Sequence, residues 1–231
     1  MVLYQLESGY CFNSDTIFLY DFIMRFSPKG KVLDVGAGCG VLGLLVAKDA
    51  KNITLSGVEK QEIMAKYIQK NALENGIEYK LYQQDFLTLQ EDQKYDFIIS
   101  NPPFYHNGVQ KSTDEITHQA RYNEHLPIKP FIQKVKKLLQ PRGHFIFCYD
   151  QSQLPLLCSA IEAEKMKVED VRFVHPKKEK NATLVMLHVR NGSKSYMKVH
   201  PPLIAFDTEE FSKEAQAIYK KANTESIKCK I

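Results

Sequence analysis

The sequence predicts an α/β protein: a mostly parallel sheet of seven strands, wound by helices on both faces. Three observations predict it. Short apolar, β-branched runs alternate with helical periods along residues 31–192, the pattern of a parallel sheet with crossover helices. The stretch after the first run, VLGLLVAKDA, is apolar almost all round, which marks a buried helix. The polar and conformationally special residues gather where the runs end, at Gly36–Gly40, Glu59, Asp85 and Asn101–Tyr105. Open α/β sheets bind their ligands at those carboxyl ends.

Each element follows in order. GYCFNSDTIFLYDF precedes the sheet. Asn13 or Ser14 can cap a helix there, with Leu19, Phe22, Ile23 and Phe26 on one face. KVLDVGAGCG (31–40) is a strand ending in a glycine-rich turn, and the buried helix follows. NITLSGVE (52–59) is the second strand. Residues 61–75 form a helix with Met64, Ile68 and Ala72 on one face and Asn75-Gly76 as its stop. EYKLYQQD (78–85) and YDFIIS (95–100) are the third and fourth strands. Ile128, Phe131, Ile132, Val135, Leu138 and Leu139 recur at helical spacing, and QPRG ends that helix. HFIFCYD (144–150) is a strand, 151–165 a helix, and VEDVRFVHP and ATLVMLHVRNG the last two strands. The expected division is an N-terminal segment (1–30), a core (31–192) and a lysine-richer C-terminal appendage (193–231).

Bulk properties set the setting. The chain has 231 residues, 44% hydrophobic and 25% charged, with a net charge of +4, which permits a polyanionic partner. No stretch approaches the ~20 apolar residues of a membrane span. MVLYQLESGY lacks the basic and apolar regions of a signal peptide. Five widely spaced cysteines without Cys-x-x-Cys argue against a disulfide framework or a metal knuckle. The expectation is a reduced, cytoplasmic protein without a metal; nothing in the sequence sets its oligomeric state.

The strand ends suggest a chemistry. Gly36-x-Gly38-x-Gly40 lets the backbone approach a ligand. Val41 stands where a dinucleotide fingerprint needs glycine, so the loop, with Asp34 before it, suits a compact amino-acid group better than a pyrophosphate. Glu59 can accept from both hydroxyls of a ribose. Asp85 can accept from an adenine amino group, with Phe86 beside the ring. Asn101-Pro102-Pro103-Phe104 then supplies two fixed acceptors, the Asn101 side-chain oxygen and the Pro102 carbonyl. An amine conjugated to a ring is a poor nucleophile because its lone pair is delocalised. Two acceptors holding its hydrogens can pyramidalise it and aim it. Proline presets the carbonyl direction and holds the preceding residue extended.

The run VLDVGAGCG, then Glu59, Asp85 and NPPF, resembles the class I S-adenosylmethionine-dependent methyltransferases that act on amino groups. With SGYCFNSDTIFLYDFI, IISNPPFYHNG, QARY (119–122), VHPKKEKNATLVMLHVRNG and EFSKEAQAIYKKA, the chain is similar over nearly its whole length to the bacterial family that methylates N6 of adenosine 37 in valine tRNA. At the C-terminal end VHPPLIAFDTEEF departs from the small-residue and Tyr motif usual there. The resemblance implies a Rossmann-like class I fold, S-adenosyl-L-methionine as cofactor and tRNA as partner. It places Asp15 and Thr16 near the methionine end of the cofactor. Phe104 can stack on a flipped base, with Tyr105 beside it. Arg121 and Tyr122 follow a long polar loop (106–120), expected to order over the RNA with Arg121 on phosphate or holding the loop. Given that substrate, Lys177 and Lys178 of the basic run HPKKEK are expected phosphate contacts. NPPF/Y also fits guanine N2 of rRNA, adenine N6 of DNA or a protein glutamine. The enzymes of those groups usually carry further domains for which this length leaves little room.

Overall fold

A computed structural model describes residues 1–7, 11–102 and 127–230. The first strand of the main sheet, β2 (Gly30–Val35), has β3 (Ile53–Val58) on one side and β5 (Tyr95–Ser100) on the other, both parallel to it. β4 (Lys80–Tyr82) extends the β3 side. β6 (Leu139–Tyr149) lies parallel to β5. β8 (Leu184–Asn191) runs antiparallel between β6 and β7 (Met166–His175). These seven strands are the predicted sheet. Two two-residue strands, β9 (Lys198–Val199) and β10 (Leu203–Ile204), add to β7 at the edge.

Chain order reverses at β2: the chain steps out to β3 and β4, then returns to the other flank as β5. That reversal opens a crevice beyond the carboxyl ends of β2 and β5. Register brings the two ends level, since Val35 pairs with Ser100. The buried Ser100 hydroxyl donates to the Val35 carbonyl at 2.7 Å. Gly36 and Asn101, the next residues, therefore leave the sheet side by side.

Six helices cover the sheet among the described residues. α1 (Ser14–Met24) is capped by Asn13, whose side chain accepts from the Asp15 amide. It is buried on nearly every side, because it packs against α2 (Val41–Asp49), β6, β8 and α6 (Lys213–Ala222). α3 (Glu62–Glu74) carries Met64, Ile68 and Ala72 inward. On another part of the sheet α4 (Ile128–Leu138) meets α5 (Leu154–Ala163), and Phe131 of α4 sets its edge on Phe145 of β6.

Three details differ from the sequence expectation. QPRG does not end the α4 helix in a turn. Leu138 ends it, β6 starts at Leu139, and the four residues bulge out of the ladder between the pairs Tyr95–Leu139 and Phe97–His144, with Arg142 at a φ of 63°. The third strand is only three residues long. Asp85 begins a turn instead, its side chain accepting from the Leu87 amide at 2.7 Å, a local bond that competes with the ladder. Residues Val2–Leu6, unassigned from the sequence, form β1 and pair in parallel with β11 (Glu225–Cys229) near the other end of the chain. All five cysteines are unpaired, and no helix among the described residues is long and apolar enough to cross a membrane.

Candidate active site

The glycine loop follows β2 with positive φ at Gly36 (67°), Gly38 (55°) and Gly40 (81°). That geometry favours glycine. Among the described residues beyond its chain neighbours, no atom lies within 4 Å of where a Cβ at Gly36 would sit, so the loop presents bare backbone there. Two buried carboxylates hold its shape. Glu59, just past β3, accepts from Gly38 N at 2.9 Å and from Gln61 N at 2.8 Å. Burial raises its pKa, partly offset by those amides. Asp34, 1% exposed, accepts from Gly43 N at 2.9 Å in the first turn of α2. Burial, with the Glu59 charge adding to it, pushes the Asp34 carboxyl up to about 7.

Beside the loop, a cavity is lined by Phe12 and Thr16 on one side, Asp34 and Gly36–Gly38 on another, and Asn101. The Asn101 amide nitrogen donates to Thr16 Oγ1 at 2.9 Å. Its oxygen accepts from the Cys148 thiol at 3.0 Å. The structure thus brings Thr16, Asp34, Gly36, Gly38 and Asn101 to one cavity. Asp15 sits at the start of α1, bonded to Asn13, and burial raises its pKa. Pro102 is buried directly after Asn101.

Other expected site residues fall elsewhere. Phe86 is 5% exposed and sets its ring against Phe131 at 5.7 Å; it packs in the core rather than presenting a face to a ligand. Asp85 spends one oxygen on its own turn. Lys177 and Lys178 follow β7, on the carboxyl edge, where Lys177 pairs with Glu209 at 2.8 Å. Pro103, Phe104, Tyr105, Arg121 and Tyr122 lie outside the described residues. Glu169, Asp170 and His188 bring possible metal-ligand atoms within 4.8 Å of one another. That cluster belongs to β7 and β8, away from the cavity, and both Asp170 oxygens are engaged, by His188 at 2.8 Å and His200 at 2.7 Å.

Sequence reasoning missed three contributors. Asn71, fully buried in α3, accepts from Tyr4 N at 2.7 Å and donates to Tyr4 O at 3.0 Å and to the loop carbonyl of Cys39 at 2.9 Å. An amide on the apolar face of a helix was its signal. Gly43 is required because a Cβ there would stand 2.9 Å from Asp34 Oδ2. Cys148 carried no signal, since one cysteine in an apolar strand looks like any other small apolar residue.

Comparison with known proteins decides the family. The model of the methyltransferase small domain matches residues 14–156. The chain belongs to that family. A tRNA1(Val) (adenine(37)-N6)-methyltransferase of Aliivibrio fischeri is 28% identical over 161 residues, which span 69% of this chain and 68% of that one. A ribosomal RNA small subunit methyltransferase C of Haemophilus influenzae is 35% identical over 98 residues, 41% of this chain and 29% of the relative. The Thermus thermophilus 16S rRNA N2 G1207 methyltransferase, solved with AdoMet and guanosine, shares the fold: TM-score 0.56, 22% identity, covering 80% of this chain and 44% of that one. This methyltransferase therefore has the class I Rossmann-like fold and uses S-adenosylmethionine. The resemblance drawn from the motifs is borne out.

The residues present fit that cofactor. Bare glycine backbone opens onto the cavity, and a buried acid stands at the next strand end. Among the described residues, those lining the cavity carry no Lys or Arg.

Proposed function

We propose that this methyltransferase methylates N6 of an adenine in tRNA, at position 37 of valine tRNA. The observation that carries the reading is Asn101: an amide held at the carboxyl end of β5, on the wall of the cavity beside the glycine loop. When bound, S-adenosylmethionine supplies a methyl group activated by its sulfonium. The chain's own groups prepare the acceptor. Asn101 Oδ1 and the Pro102 carbonyl take the two amine hydrogens and direct the nitrogen lone pair out of conjugation. Asn, being neutral, does this without a negative charge that would stabilise the cationic donor in its ground state. Phe104 supplies the ring on which the flipped base stacks, a contact worth roughly 1–3 kcal/mol. Glu59 holds the ribose, and Lys177 and Lys178 meet phosphate. The N6 position and the tRNA are supported by the Aliivibrio fischeri relative.

The test is incubation with labelled S-adenosylmethionine and total tRNA, rRNA, DNA and protein from a host lacking the enzyme, followed by digestion to nucleosides. N6-methyladenosine from one tRNA is expected. N2-methylguanosine in rRNA would replace this reading with the activity named for the Thermus thermophilus methyltransferase, and label confined to protein would end both. Asn101→Ala should leave cofactor affinity nearly unchanged and lower turnover by roughly two orders of magnitude, the scale seen when one preorganised group is removed.

A further inference from the structure

Asn101 is held by two side chains, and only one of them can tell its oxygen from its nitrogen. Thr16 Oγ1, 2.9 Å from the amide nitrogen, is a hydroxyl that donates or accepts equally well. It would satisfy either end of the amide. The other neighbour is Cys148, whose Sγ lies 3.0 Å from Oδ1. A thiol is a weak acceptor and carries one hydrogen. Cys148 is fully buried, and burial pushes its pKa far up, so it keeps that hydrogen. A permanent S–H facing the amide favours oxygen on its side and disfavours N–H.

The backbone makes this contact inevitable. β6 runs parallel to β5 with Ser100 level with Phe147. Cys148 is the next residue of β6, and Asn101 is the residue just past the end of β5. Phe145 and Phe147 stack on each other, and Phe145 meets Phe131 of α4. Strand alternation turns Cys148 to the opposite face, where α1 brings Thr16. The thiol, the amide and the hydroxyl thus form a row across β6, β5 and α1 at the cavity wall.

We propose that Cys148 is a positioning residue for methyl transfer: its thiol fixes the Asn101 amide so that one oxygen lone pair is taken and the other is left for the substrate amine. The inference rests on the reading of Asn101 as an acceptor for that amine. An amide oxygen has two lone pairs, so both bonds fit at once. Without the thiol, the amide can rotate by half a turn and face the substrate with N–H, which repels an amine's hydrogens. Loss of Cys148 therefore acts on turnover and not on cofactor binding.

The experiment compares Cys148→Ala, Cys148→Ser and Asn101→Ala in the full chain. Cofactor affinity, turnover on unmodified tRNA and the infrared S–H stretch are measured. In the wild type minus Cys148→Ala difference spectrum, the S–H band should lie at the lowered frequency of a donating thiol. It should rise in Asn101→Ala. Cys148→Ala should lose roughly tenfold in turnover, the worth of one modest hydrogen bond, with cofactor affinity unchanged. Cys148→Ser keeps a donor and should recover most of the rate. The inference is overturned by a free-thiol band, by wild-type turnover in Cys148→Ala, or by a Cys148→Ser enzyme that is folded yet as slow as Cys148→Ala. A slow Asn101→Ala beside a fast Cys148→Ala removes only the role of Cys148. A fast Asn101→Ala removes the acceptor reading and this inference with it. The infrared comparison decides the contact whatever polymer proves to be methylated.

Discussion

Replacing Asp34 by Asn should change how stability depends on pH. The carboxyl is 1% exposed, and burial raises its pKa to about 7, helped by Glu59 and opposed by the Gly43 amide. In the unfolded chain an aspartate titrates near 3.9. Between those values the folded protein holds a proton that the unfolded chain has released. The stability contributed by this proton is therefore fully present below about pH 4 and is lost as pH rises through about 7, after which the contribution levels. A gap of that size corresponds to about 4 kcal/mol across the window. Asn keeps an oxygen for the Gly43 N–H bond and carries no charge to desolvate. Urea unfolding of the ligand-free protein and of Asp34→Asn, each from pH 4 to pH 8, measures the difference. The variant should gain on the wild type as pH rises and stop gaining above about pH 7.5. Two curves that stay parallel over the whole range would refute a buried, proton-holding Asp34.

Other expectations follow from the same geometry. Asn71→Ala strands two backbone groups of Tyr4 and the Cys39 carbonyl, so unfolding free energy should fall by about 3 kcal/mol or more; a loss under about 1 kcal/mol in urea would contradict it. Gly43→Ala places a Cβ 2.9 Å from Asp34 Oδ2. The gain of about 1 kcal/mol in helix propensity should be outweighed by overpacking of about 1–3 kcal/mol, read as a lowered Tm together with weaker cofactor binding by calorimetry. If Lys177 and Lys178 contact phosphate, changing both to Gln should reduce the slope of log affinity for tRNA against log salt by about two. An unchanged slope in filter binding would move the RNA elsewhere.

Much of the fold was legible because it is written in local patterns. Buried parallel strands must be apolar runs, and the α2 helix, buried on every side over Val41–Val46, must be apolar there; both facts survive in one dimension. The line of strand ends was legible for the same reason, since a strand's last residue is adjacent in sequence to its last apolar one. Phe86 was misplaced because a ring beside an acid looks the same whether it faces a ligand or Phe131. Asp85 was placed at a strand end because nothing local says that β4 stops after three residues.

The sequence by itself determined the alternation of elements, the glycine loop, the Asn-Pro-Pro corner and the resemblance they carry. Each is a contiguous run whose backbone demands are met by its own residues. Tertiary structure alone decided what joins them. The pairing of β1 with β11, the Asn71 bridge from α3 to the glycine loop and the row of Thr16, Asn101 and Cys148 all link residues dozens to hundreds of positions apart. Such contacts arise when burial removes water from polar groups and obliges them to find partners in whatever element packs alongside. That is why a cysteine unremarkable in the sequence stands against the amide on which the chemistry is proposed to turn.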